Sequence, residues 1–387
     1  MIKILVITVR DKDSGINKYR IFDPHIKLQN LFSNDFYVEL GRDSDILNTE
    51  KVKQFDAIFY HAALEQVDQV SAQITFLKSL GIKIILDIDD FWDYHISHPY
   101  YNLAKQINLK EKTTRGFKKA DLITTTSDFF VERLKKYNNN VVCLPNSLDL
   151  NEKQCQINNT DHELTHIGFV GGSSHLEDIK LLRGVFDSLS NKKTQMQLCG
   201  FNVTKETALQ SVWLKMEEIF TNNHKLKDPN FVDYLFEFKQ TETYTNQAEM
   251  EYKRVWTKSI ITYMHSYDDL DICVAPLTNI EFNYFKSNLK MLEAGIKKKP
   301  IIVSGVQPYL DGVHGENCLI VEPRKEHKNW IKYVNQLVDS KQMQIDLGEN
   351  LYNYVTLKLV APSTASASRN APSFFKSRSF ACTMFDA

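Results

Sequence analysis

Short apolar runs alternate with helix-period segments along most of the chain. Residues 2–9, IKILVITV, are apolar without alternation, the pattern of a strand covered on both faces in a parallel sheet. Similar runs stand at 55–61, 83–90, 118–127, 141–144, 166–170, 195–199, 272–277, 301–303 and 318–321. Between them, helical spacing predicts helices over 24–32, 67–80, 129–137, 176–189, 213–220, 325–338 and 342–354. The stretch 202–262 is harder to read; a strand at 231–238 and a helix around 247–258 are the expectations there. Strand and helix in alternation, with short connections, predict doubly wound parallel sheets. The pattern ends at about 150 and starts again at 164, across a polar stretch without periodicity. Two α/β domains, 1–150 and 164–355, with a linker at 151–163, are therefore expected. Residues 356–387 turn rich in Ala, Ser and Pro and predict a disordered tail.

The stretch 272–323 is the best defined. An apolar run closed by Pro276 leads into a polar loop, then to Ser287 and Asn288, side chains suited to accepting from free amides at a helix start. Leu289, Leu292 and Ile296 share a helical face, and Gly295 with the lysines at 297–299 predicts the helix end. A helix N-terminus at the carboxyl edge of a sheet is a site for phosphate.

At 387 residues the chain exceeds a typical single core. Hydrophobic content of 43% and charged content of 25% are those of an ordinary globular protein, and a net charge of −1 gives no case for nucleic acid. No run is long enough to span a membrane, and Arg10 to Asp13 follow the first apolar run at once, so a cytoplasmic protein is expected. The six cysteines lack paired ligand spacing and read as reduced, packed thiols.

Candidate chemistry clusters at strand ends. In the first domain Gly15, Tyr19 and Arg20 follow the first strand. Gly15 reads either as a phosphate-loop glycine or as a turn glycine; Arg20 reads as an anion ligand or as half of a surface salt bridge. His61 ends the next predicted strand, and Asp87, Asp89 and Asp90 end the one after it. Those carboxylates have three readings: ligands for a divalent cation, hydrogen-bonding or basic groups for a sugar, and caps of a helix around 91–94. In the second domain Gly171, Gly172 and Ser173 form a strand-to-helix turn, either a close approach for a ligand or an ordinary tight turn.

The segments DLDICVAPLTN, FNYFKSNLKMLEAG, KKPIIVS and VQPYLDGVHGENCLIVEP, with KKADLITTTSDFFVERLKKY and VVCLPNSLD before them, resemble the GT-B glycosyltransferases. The chain is similar to the large retaining family 4 group, in a branch tied to bacterial and phage surface polysaccharides. The resemblance covers roughly residues 1–355 and implies two Rossmann-like domains facing a cleft.

It further implies a nucleoside-diphosphate-sugar donor in the second domain and a glycan or lipid-linked acceptor in the first. Transfer would proceed with retention, in the cytoplasm or at the inner face of the membrane, without metal or resident cofactor. Glu293 would hold ribose hydroxyls; Lys286, Ser287, Asn288 and Leu289 would hold the diphosphate, with Gly171 and Gly172 opposite. The family pairs two glutamates along this helix. Here Glu293 fills the second position and Phe285 stands at the first, so Asn283 or Glu281 would contact the sugar instead. Ser173, Ser174 and His175 replace the family's basic pair, a role left to Lys286, with Arg20 reaching across the cleft. Two rival readings are a transferase whose metal is held by Asp87, Asp89 and Asp90, and a non-catalytic binding protein.

Overall fold

The structure is a computed structural model that describes residues 1–8, 13–62, 68–98, 100–158, 160–189, 192–201, 207–221 and 252–360. The chain divides into two units, Met1–Ser147 with Phe285–Ser287, and Leu148–Tyr284 with Asn288–Lys358. Each is built on a parallel sheet, as the continuous apolar runs require.

The first unit contains β1 (Ile2–Ile7), β2 (Phe36–Gly41), β3 (Ala57–His61), β4 (Lys83–Ile88), β5 (Leu122–Thr125) and β6 (Val141–Cys143). They run in the order β2-β1-β3-β4-β5-β6, so strand order reverses between β1 and β3. Ile4, Val6, Phe59 and Ile85 from the sheet pack with Ile21 and Leu28 into its core. Strand β2 has no counterpart among the predicted elements. It is an edge strand with Glu39 on it, and only its ends are buried, so it never forms an apolar run.

The second unit contains β7 (Thr165–Val170), β8 (Thr194–Phe201), β9 (Tyr252–Trp256), β10 (Ile272–Ala275), β11 (Ile301–Ser304) and β12 (Leu319–Val321). The order β12-β11-β10-β7-β8-β9 is that of a dinucleotide-binding sheet, with its switch point between β7 and β10. Ile272 lies opposite Ile167 across that pair. Trp330, Val334 and Leu337 of the helix Glu326–Asp339 cover one face. The fold is thus two Rossmann-like doubly wound sheets.

Several local expectations are corrected. Residues 252–256, expected in a helix, form β9, because Tyr252 and Arg254 both point inward at strand period. The expected helix over 176–189 breaks into short turns, with Gly184 at φ +73° between two of them. No helix forms at 91–94, so the aspartates before it cap nothing. Asn288 is the N-cap of the helix Leu289–Ile296 but makes no side-chain cap bond. Gly295 lies inside that helix, where a Cβ would press on Leu351 and Val355, and left-handed Lys298 ends the turn instead. The last helix, Lys341–Val360, runs past the expected boundary at 356, since Leu351 and Val355 are buried.

The segment at 151–163 carries a short turn, Lys153–Cys155, with Gln154 and Cys155 buried in the second unit. The predicted strand at 231–238 and the tail at 361–387 lie outside the described residues. Among the described residues no helix is long and apolar enough to cross a membrane. The five described cysteines are free.

Candidate functional site

In the second unit the switch point places the end of β7 beside the loop after β10. Gly171 follows β7, and a Cβ there would lie 2.5 Å from the Phe169 ring and 2.9 Å from Lys290 Nζ. Gly200, at φ +111°, packs its Cα against the Gly171 carbonyl. A Cβ at 171 would therefore have to displace the Phe169 ring and the Lys290 ammonium, whereas a Cβ on Gly172 would meet open space. Ser173 opens a short turn, Ser173–His175.

Lys290 is the cation at this turn, and the motif spacing did not single it out. Its Nζ donates to the Val170 carbonyl and stands 4.9 Å from the centre of the Phe169 ring. It belongs to the helix Leu289–Ile296, whose intrahelical bonds begin with the amides of Met291 and Leu292 on the Asn288 carbonyl. The first turn of a helix leaves N–H groups to caps, water or ligands. One turn on, Glu293 is 3% exposed. Tyr263 and Tyr267 donate their phenols to its two carboxylate oxygens, the latter at 2.7 Å. Burial pushes the Glu293 carboxyl up, against the pull of Lys290 and the two phenols. A carboxylate has about four lone-pair sites, so the phenols leave acceptor capacity.

The loop between β10 and this helix is latched by Asp178. Its Oδ1 accepts from the Thr278 amide, the Thr278 hydroxyl and Asn283 Nδ2, while Oδ2 faces His175 Nδ1 at 2.8 Å. Asn283, expected to touch a sugar, is 2% exposed and spends its amide nitrogen on Asp178 and Thr278. It supports the loop. Asp178 was missed, although its i,i+3 spacing from His175 after a glycine turn was a readable signal.

In the first unit Arg20 is neither an open anion ligand nor part of a surface pair. It lies in a wide π-type turn, Asn17–Phe22, buried with Tyr19. Its Nε and Nη2 take both oxygens of the fully buried Asp87, and Nη1 donates to the Leu144 carbonyl and to Asn146. Thr124 donates to Asp87 as well, at 2.6 Å. Gly15 is exposed and has no positive φ. A Cβ there would meet nothing nearer than Tyr19 at 4.0 Å, so nothing steric demands glycine.

The three aspartates part company. Asp87 is spent on Arg20 and Thr124. Asp89 Oδ1 lies 2.9 Å from His61 Nε2. Burial pulls the His61 imidazole down, but the charge and hydrogen bond of Asp89 outweigh it, so the net direction is up. Asp90 is half exposed and lies 3.6 Å from Lys286 Nζ. The trio does not converge on one point, which removes the basis for reading it as a metal site. Lys286 sits with the first unit, as do its neighbours. Ser287 accepts from Asn146 Nδ2 at 3.0 Å, and Phe285 is 3% exposed against Phe91, Phe129 and Phe130.

No family model matches the sequence, and no curated protein matches it. Solved structures do. HepE of Anabaena in complex with UDP-glucose superposes with a TM-score of 0.62 at 11% identity, over 93% of this chain and 96% of that one. Sucrose-phosphate synthase of Thermosynechococcus elongatus gives 0.61 at 12% identity, over 92% and 94%. A glycosyltransferase of Rickettsia africae gives 0.59 at 11% identity, over 92% and 94%. Those proteins share with this chain the two-domain α/β architecture known as GT-B.

Proposed function

We propose that this chain transfers a sugar from a nucleoside diphosphate to a glycan or glycolipid acceptor. The observation that carries the reading is Lys290 beside the Gly171 turn, at the switch point of a sheet whose strand order is that of nucleotide-binding units. Solved neighbours with this fold, one of them bound to UDP-glucose, support the same class of donor.

Breaking a sugar–phosphate bond gathers negative charge on the departing diphosphate. A cation and a helix N-terminus held in place beforehand stabilise that charge where it develops, without reorganisation. Lys290, the backbone at 171–173 and the start of the helix at Leu289 supply them. Glu293, kept in position by two phenols, takes the ribose hydroxyls as an acceptor. The His61–Asp89 pair is assigned to the acceptor side, where a histidine oriented by a carboxylate can take a proton from a hydroxyl. Retention would follow from attack on the face of departure, assisted by the leaving phosphate oxygen. Surface polysaccharide as the product, and action at the inner membrane face, complete the proposal.

The test is a thermal-shift panel of nucleotide-sugars on the full chain, followed by a transfer assay with the best stabiliser. A sugar-bearing donor that raises the melting temperature more than its bare diphosphate, and that is turned over, supports the reading. Binding without hydrolysis or transfer would favour a non-catalytic binding protein. Lys290→Ala and Lys286→Ala, compared side by side, decide which lysine serves the diphosphate.

A further inference from the structure

The amino edge of the second sheet, away from the glycine turn, carries a cluster that the proposed reaction does not use. His162 precedes β7, His166 lies near the start of that strand, and Asp269 precedes β10. One ligand atom from each lies within 4.8 Å of the others. The two imidazoles stack with centres 3.9 Å apart.

His162 Nε2 is buried without a hydrogen-bond partner, although Asp269 Oδ1 is only 3.3 Å away. A buried nitrogen 3.3 Å from a carboxylate oxygen, with no hydrogen bond between them, is an unfinished arrangement. An ion between them would complete it. The surroundings are those of an outer shell. His166 Nδ1 lies 3.8 Å from Asp269 Oδ1 and 2.8 Å from the Asp269 carbonyl oxygen, so ligation through that nitrogen would replace its backbone contact. Lys253 and Gln197 hold Asp269 Oδ2, so Oδ1 stays on the histidine side. Two imidazoles and one carboxylate suit zinc-class ions over magnesium or calcium, which prefer all-oxygen shells.

We propose that His162, His166 and Asp269 bind one divalent ion of the zinc class, which ties the entry of β7 to the entry of β10. The three side chains leave a coordination position for water. The ion's role is structural, because the site lies at the opposite edge of the sheet from Gly171 and Lys290. The inference does not depend on the proposed transferase activity.

The test strips the full chain with chelator and titrates it with Zn²⁺ by calorimetry, with Co²⁺ absorption as a second readout of imidazole ligation. The wild type is expected to bind one ion and to melt at a higher temperature with it. His162→Ala and Asp269→Asn should each weaken binding by more than about tenfold, the scale lost even when only a supporting partner is removed. Absence of saturable binding by the folded wild type would overturn the proposal. So would equal affinity in the folded variants, which would place the ion elsewhere. Should Asp269→Asn fail to fold, His162→Ala, at a position outside any strand, decides alone.

Discussion

Lys290 Nζ donates to the carbonyl of Val170, so the helix that follows β10 is tied to the last residue of β7. The bond spans the switch point and holds the ammonium where Gly171 has no side chain to displace it. Gly171→Ala would put a methyl 2.9 Å from that nitrogen. The variant should fold and bind nucleoside diphosphates about ten- to hundredfold more weakly, the worth of one charge-assisted hydrogen bond of about 1.5–3 kcal/mol. Titration of both proteins checks it.

Phe285 should matter for stability more than for sugar selection. It is buried against Phe91, Phe129 and Phe130, with the Arg133 guanidinium 5.8 Å from its ring centre. Phe285→Ala should cost about 3–5 kcal/mol in urea unfolding. Phe285→Glu should be worse, because it buries a charge among aromatic rings. A Glu variant as stable as the wild type would contradict the anchoring role.

The His61–Asp89 pair sets a pH window. His61 titrates above its ordinary value and Asp89 below its own, where burial's upward push is overcome by the His61 charge. The histidine's contribution is complete below its unfolded value of about 6.5 and is lost as pH rises through the folded value. The aspartate's contribution is complete above about 3.9 and is lost as pH falls through its folded value. The melting-temperature deficit of His61→Asn should therefore be largest below about pH 6.5 and shrink as pH rises through the raised folded value, as read by melts across a pH series.

Arg254 and Glu217 form a buried pair, with Nε–Oε1 at 2.7 Å and Nη2–Oε2 at 2.8 Å, and Tyr252 donates to the same carboxylate. Glu217→Ala leaves the guanidinium buried and unpaired, and should cost about 3–5 kcal/mol. Replacing both partners by apolar residues should recover much of that loss, which paired denaturation curves would reveal.

The apolar pattern exposed every described strand except β2 and β9, the edge strands β6 and β12 included. The two edge strands β2 and β9 escaped it for a physical reason. Glu39 sits on β2, and Arg254 on β9 is inward only because Glu217 meets it from 37 residues away, a pairing no local window contains. Helix 176–189 failed where Gly184 takes a positive φ. Gly171 and Glu293 were named from sequence; Gly171 follows β7, and Glu293 is buried against the phenols of Tyr263 and Tyr267. Lys290 was not singled out from sequence, although its i,i+3 spacing from Glu293 puts the two on one face of the helix Leu289–Ile296. Arg20 read as an anion ligand or half of a surface salt bridge because its buried partner Asp87 is 67 residues away.

The most direct measurement is a calorimetric titration of the full chain with UDP, GDP, ADP and dTDP, repeated on Lys290→Ala. One nucleoside diphosphate should bind saturably to the wild type and about ten- to hundredfold more weakly to a variant that melts normally. Failure of all four to bind, or unchanged affinity in the folded variant, would contradict a diphosphate site at the β7–β10 switch point.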